Sequence, residues 1–121
     1  MNKETTFLCP IDATIKAVGG KWKPLILWNL RGGAKRYSEL ERGIPGITQK
    51  MLSQSLKELE ETGLIQRVVL GTVPPRVEYS FSEFGLTLEP LLVQMCKWGK
   101  LLMERHGQRL TCAAAEDVPG A

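Results

Sequence analysis

The residues best suited to chemistry lie between Thr48 and Thr62. This stretch predicts a helix, because threonine is a favoured N-cap and the glycine at position 63 is a favoured terminator. Leu52, Leu56 and Leu59 recur on one face. Side chains that donate or accept hydrogen bonds share the opposite face: Gln49, Lys50, Ser53, Gln54 and Lys57. Such groups match the donors and acceptors of base edges in the major groove of DNA.

Acidic residues are absent from the first three turns of this helix, where they would repel phosphate. They appear only at its end, as Glu58, Glu60 and Glu61. In helix-turn-helix modules the N-terminal residues of the second helix meet the bases, and the charge gradient fits that arrangement. The alternative is an ordinary amphipathic helix with a solvated polar face, so the flanking elements must decide.

The flanking elements predict a winged helix-turn-helix fold, mainly α with a small β-hairpin wing. A short extended piece at Lys35–Tyr37 precedes a short helix, for which the spacing of Ser38 and Glu41 predicts an N-terminal capping box. Alternation over 64–70 and 76–81 predicts two strands joined by a loop. This order places the helix at 48–62 where a module of this kind reads DNA.

Arg76, at the base of the predicted wing loop, is a candidate for phosphate or minor-groove contact. The alternative is a surface ion pair with Glu78, which lies on the same side of the strand. Arg36 is a second candidate for phosphate, and so is Thr48 at the start of the reading helix. For Lys35, a phosphate contact and an ordinary solvent-exposed charge explain the residue equally well.

The remaining sequence predicts helices at Pro10–Val18 and Trp22–Leu30, and a long last helix from Ser82 to Arg105 with a bend near Pro90. Trp22, Trp28 and Trp98 are interpreted as core anchors. The first and last helices carry more apolar surface than one small core needs, which predicts a dimer interface. Its candidate residues are Ile11, Ile15, Leu91, Leu92, Met95, Trp98 and Leu102.

The three cysteines, Cys9, Cys96 and Cys112, lack metal-hairpin spacing, and His106 is the only histidine. No metal, cofactor or histidine-dependent triad is therefore expected. Cys9 precedes a helix start, where amide N–H groups favour the reactive thiolate, which makes it a candidate redox or electrophile sensor. The alternative for Cys9 is a buried helix-cap cysteine with no chemistry. Cys96 is interpreted as a residue of the core or of an interface.

The 121 residues suit one domain, which we predict over 1–107 with a disordered tail at 108–121. Residues 1–57 hold ten Lys and Arg against four acids, whereas 58–121 hold six against nine. The basic half contains the proposed reading helix. No apolar run is long enough to span a membrane and the start lacks a signal-peptide pattern, so a cytoplasmic location is expected.

Several motifs, in order, resemble the HxlR-type family of bacterial winged-helix regulators, relatives of the MarR group. The motifs are Cys9-Pro10, Gly19-Gly20-Lys21-Trp22, Arg36-Tyr37-Ser38-Glu39-Leu40, 45–52, 56–60, 63–65, 73–80 and Cys96-Lys97-Trp98-Gly99. The resemblance implies transcription regulation by a homodimer on double-stranded DNA, a pseudo-palindromic operator, and a dimer built from the first and last helices. It also implies a small-molecule or oxidant inducer, since some members sense quinones, aldehydes or oxidants through the cysteine matching Cys9.

Two other function classes remain as alternatives. One is a winged-helix protein-interaction module without DNA binding, which the acid-free polar face at 49–57 disfavours. The other is an enzyme with Cys9 as nucleophile, which lacks an evident general base because His106 lies near the tail. We therefore expect a regulator rather than an enzyme.

Overall fold

The computed structural model describes residues 6–71 and 73–107. It is mainly helical with a small three-stranded antiparallel sheet, in the order of a winged helix-turn-helix. The predicted fold class is therefore confirmed. The predicted tail at 108–121 lies outside the described residues.

Helix α1 spans Pro10–Val18 and helix α2 spans Trp22–Asn29, close to the predicted bounds. Proline at the first position of α1 costs nothing, because its missing N–H would have no partner inside the helix. A single 3-10 turn, Leu30–Gly32, follows α2. Its end is marked by Gly33, whose φ of 122° favours glycine.

The two central helices are α3, Tyr37–Gly43, and α4, Gln49–Glu61. Thr48 caps α4 as predicted, with its hydroxyl accepting from the Met51 backbone N–H at 3.1 Å. The predicted Ser38–Glu41 capping box is wrong, because α3 begins earlier than that pattern requires. Its entry is held instead by the Glu39 carboxylate, which accepts from the Arg36 backbone N–H at 2.8 Å.

Strands β1 (Lys35–Arg36), β2 (Ile65–Leu70) and β3 (Arg76–Phe81) form the sheet in the order β1-β3-β2. Both pairings are antiparallel, with Arg36 opposite Glu78 and Leu70 opposite Arg76. The hairpin of β2 and β3 is the predicted wing. Beyond Ile65, β2 is exposed rather than half-buried, so the burial alternation expected of it is not seen.

The predicted long last helix is divided. Helix α5 spans Glu83–Leu86 and α6 spans Glu89–Arg105, so the chain breaks where a bend was expected. Pro90 lies in the first turn of α6, where a proline is tolerated, rather than in the interior of a continuous helix. The short α5 is capped by Ser82, whose hydroxyl accepts from the Gly85 backbone N–H at 2.9 Å.

The core forms where α2, α3, α4, the strands and α6 meet, around Ile26, Leu27, Leu40 and the three leucines of α4. Trp22 and Trp28 pack against it, as predicted. Trp98 does not: its exposed fraction is 64%, so the prediction that it anchors the core is wrong. The reason is its position on the side of α6 that turns away from the core.

No helix in the described ranges is long and apolar enough to cross a membrane. Within residues 6–71 and 73–107, no group of three or more metal-ligating side chains is placed to hold an ion.

Candidate nucleic-acid interface

Helix α4 divides cleanly into a buried and an exposed side. Leu52 and Leu59 are fully buried and Leu56 nearly so. The predicted reading residues Gln49, Lys50, Ser53, Gln54 and Lys57 are all exposed. The structure therefore presents a continuous polar stripe along the N-terminal two thirds of α4, which we call the reading face.

Tyr37, at the start of α3, contacts the N-terminal part of α4. Its hydroxyl lies 3.0 Å from the Gln49 carbonyl oxygen and 3.0 Å from Ser53 Oγ. These contacts join residues 12 and 16 positions apart in the sequence. Sequence reasoning missed this role, because the periodicity of either helix does not show which residues of the other it meets.

The C-terminal part of α4 is tied to α2 by an ion pair. Lys23 Nζ lies 3.0 Å from Glu58 Oε2. The hydrogen bond from Lys23 is the main reason that the pKa of the Glu58 carboxyl lies below its usual value, and the Gln54 side chain adds to the effect. Glu58 is thereby neutralised at the end of the reading face, where a lone carboxylate would repel DNA.

The start of α3 is organised by Glu39. Its bond from the Arg36 backbone N–H lowers the pKa of the Glu39 carboxyl, and the positive charge of Arg36 adds to that shift. The Arg36 guanidinium lies 3.7 Å from the same carboxylate and remains exposed. Arg36 is thus accessible to phosphate beside the reading face.

The sheet places two arginines on the same face as one acid. Arg76 Nε lies 3.1 Å from Glu78 Oε2, which is the ion pair considered as an alternative above. Arg36 is the cross-strand neighbour of Glu78, so all three side chains share one face of the sheet. Arg76 stays about half exposed, so the ion pair leaves its guanidinium open to a further partner.

Cys9 is the N-cap residue of α1 and is exposed, whereas Cys96 on α6 is half-buried. The Cys9 carbonyl accepts from the Ala13 N–H at 3.0 Å, while its side chain makes no capping bond. The segment before α1 is held by Asp12, whose carboxylate accepts a hydrogen bond from the Leu8 backbone N–H at 2.9 Å. The thiol is therefore presented on a fixed backbone at the helix start.

The predicted dimer residues fall into two groups. Six of them are exposed apolar side chains, two on α1 and four on α6, and we call this set the apolar face: Ile11, Ile15, Leu91, Met95, Trp98 and Leu102. Leu92 does not belong to it, because only 3% of it is exposed and it packs in the core. The helical turn places Leu92 about 120° round α6 from Trp98.

Comparison with known proteins agrees with this architecture. Residues 17–107 match the family model described as HxlR-like helix-turn-helix. The HTH-type transcriptional regulator YkvN of Bacillus subtilis is 50% identical over 100 residues, covering 83% of this chain and 85% of YkvN. The regulator YdeP of the same organism is 45% identical over 109 residues, covering 90% of this chain and 85% of YdeP.

Two solved regulators are similar in structure. The redox regulator HypR in its oxidised form superposes with a TM-score of 0.73 at 48% identity, covering 76% of this chain and 95% of HypR. The reduced form of the transcriptional regulator YodB from B. subtilis superposes with a TM-score of 0.68 at 36% identity, covering 76% of this chain and 91% of YodB.

Proposed function

This chain belongs to the HxlR-like helix-turn-helix family of transcriptional regulators, and from that premise we propose that it binds a specific operator as a homodimer. The observation that carries the proposal is the reading face, which is exposed, free of acids and continuous from Gln49 to Lys57. In this arrangement α4 enters the major groove while the wing and Arg36 meet the backbone. A regulator of this type acts in the cytoplasm, where its DNA is.

The reading face is tested by substitutions of different chemistry at Gln54 and Lys50. Gln54→Ala is expected to reduce discrimination between bases at one operator position by about 1–3 kcal/mol, since glutamine can make a bidentate base contact. Lys50→Ala is expected to weaken binding to all DNA sequences alike. It should also make the fall of log affinity with log salt shallower by about 1. Binding titrations at several salt concentrations measure both effects.

Those titrations also separate the proposal from the alternative of a protein-interaction module. DNA binding releases counterions and therefore weakens steeply with salt. An unchanged affinity and salt slope in both variants would show that the reading face does not contact DNA. Binding of the parent protein that is insensitive to salt would favour the interaction module.

The wing is tested at Arg76. We expect Arg76→Ala to stay folded, because a surface ion pair contributes at most about 1 kcal/mol. Operator affinity should fall about tenfold, the scale of one charged hydrogen bond. Circular dichroism and gel-shift titration measure the two quantities.

Glu78→Gln is the matched control, because it breaks the same 3.1 Å ion pair and leaves Arg76 in place. If Arg76 contacts DNA, Glu78→Gln keeps or raises operator affinity. If Arg76 serves only as the partner of Glu78, the two variants lose affinity equally.

We further propose that Cys9 responds to oxidants or electrophiles. Its support is the exposed thiol at the start of α1 and the structural likeness to the redox regulator HypR in its oxidised form and to the reduced form of the regulator YodB. The family match begins at residue 17, so it does not itself cover Cys9. An adduct at α1 would act on the apolar face, and so on the spacing of the two reading helices.

Treatment with diamide is expected to change operator binding of the parent protein and to leave Cys9→Ser unchanged. Cys96→Ser and Cys112→Ser are the matched controls, and both should respond as the parent does. Gel-shift titration with and without diamide measures the response. A Cys9→Ser protein that responds like the parent would exclude Cys9 as the sensor.

A further inference from the structure

The contact between Tyr37 and α4 has a fixed direction of hydrogen donation. A tyrosine hydroxyl carries one hydrogen, and a carbonyl oxygen can only accept. Tyr37 therefore donates to the Gln49 carbonyl at 3.0 Å. If it donated to Ser53 instead, the hydroxyl and carbonyl oxygens would face each other at that distance with no hydrogen between them.

Ser53 must then supply the hydrogen for its own contact with Tyr37, at 3.0 Å between the two oxygens. An unbonded serine can both donate and accept. With its hydrogen committed to Tyr37, Ser53 presents only acceptor lone pairs to a partner outside the protein. Ser53 nevertheless remains exposed on the reading face.

Resting on the proposed function, we propose that the Tyr37 hydroxyl determines operator specificity by making Ser53 an acceptor only. On the DNA strand that faces Ser53, α4 then favours a base with an amino group in the major groove. Cytosine N4 and adenine N6 provide such a group, whereas guanine O6 and thymine O4 are acceptors that Ser53 cannot satisfy. Tyr37 is a positioning residue, because it acts through Ser53.

The other polar residues of the reading face do not duplicate this property. Lys50 and Lys57 only donate, and the amides of Gln49 and Gln54 both donate and accept. Since acids are absent from this face, Ser53 is its one side chain restricted to accepting. A preference for C or A at a single position of each half-site is the expected signature.

The experiment is a selection from a randomised duplex library with the full chain as parent, Tyr37→Phe and Ser53→Ala. The parent should enrich C or A over G or T by about fivefold at one position of each half-site, the scale of one net hydrogen bond. Tyr37→Phe frees the Ser53 hydrogen, so the preference there should fall below about twofold. Ser53→Ala should lose the preference at the same position.

Tyr79→Phe is the matched control, since it removes a hydroxyl from β3 of the wing instead of from the contact with α4. Its base frequencies should equal those of the parent. The inference is overturned if Tyr37→Phe matches the parent at every position, if it weakens all positions equally, or if the Ser53 position selects G or T. Ser53→Ala is a second check that does not depend on the fold of Tyr37→Phe, because truncating an exposed side chain leaves the fold intact. A base preference that persists in Ser53→Ala would also overturn the inference. A parent that enriches no sequence would refute the proposed function itself.

Discussion

Trp98→Glu is expected to convert the proposed dimer to a monomer and to weaken operator binding by about 10²–10⁴-fold. Trp98 is 64% exposed on α6 and lies among other apolar side chains on the same face, including Met95 and Leu102. A carboxylate there would be buried without a partner in the dimer, yet solvated in the monomer. Two linked reading helices bind far more tightly than one, so losing the second half-site removes most of the affinity.

Sedimentation at micromolar concentration and gel-shift titration measure the two effects. Lys97→Glu is the matched control, because it places a carboxylate about 100° round the same helix, away from the apolar face. It makes the chain more negative than Trp98→Glu does, so repulsion of DNA would affect it at least as strongly. A parent protein that sediments as a monomer would exclude the proposed interface.

The parts of the fold that follow from local sequence were predictable. Pro10 and Gly19 bound α1 as expected, and Thr48 caps α4 as a threonine before a periodic run should. The two sides of α4 were also predictable, because the repeat of leucines at Leu52, Leu56 and Leu59 leaves one orientation that buries them together. The likeness in motifs then pointed to the family that the comparisons show.

Where a choice depended on contacts between elements, the sequence was insufficient. Leu92 and Trp98 are both large, apolar and on α6, and only the packing of that helix decides that the first is buried and the second exposed. At the start of α3, the sequence predicted a capping box of Ser38 and Glu41, whereas the structure uses Glu39. The extended backbone at Arg36 is the reason, because it makes Arg36 the N-cap residue and so sets where the helix begins.

The candidate site shows the same limit. The residues of the reading face could be listed from helical spacing, but the state of each side chain could not. That Glu58 is paired with Lys23, or that Ser53 is paired with Tyr37, depends on which helices pack together. Such pairs determine which hydrogen-bonding groups of a side chain remain available to DNA, so the identity of the residue alone does not fix what it can contact.

Gly85→Ala is expected to lower the free energy of unfolding by about 2 kcal/mol and the melting temperature by about 10 °C. Gly85 is buried in α5, and an added Cβ would collide with the Leu64 carbonyl oxygen and lie 3.1 Å from the Phe81 ring. The Leu64 carbonyl cannot move away freely, because it accepts from the Ser82 N–H at 3.0 Å. Ser82 in turn caps α5, so the added methyl disrupts the junction between the end of α4 and the approach to α6.

Thermal unfolding at a fixed protein concentration measures the loss, since a dimer's melting temperature depends on concentration. Gly32→Ala is the matched control: an added Cβ there meets only the end of the Lys35 side chain, 3.9 Å away. Its stability should stay within about 0.5 kcal/mol of the parent. A Gly85→Ala protein with the same melting temperature as the parent would mean that α5 can shift at little cost. In that case the junction would not hold α6 rigidly to the reading helix, and modification of α1 or α6 would not be transmitted to DNA through it.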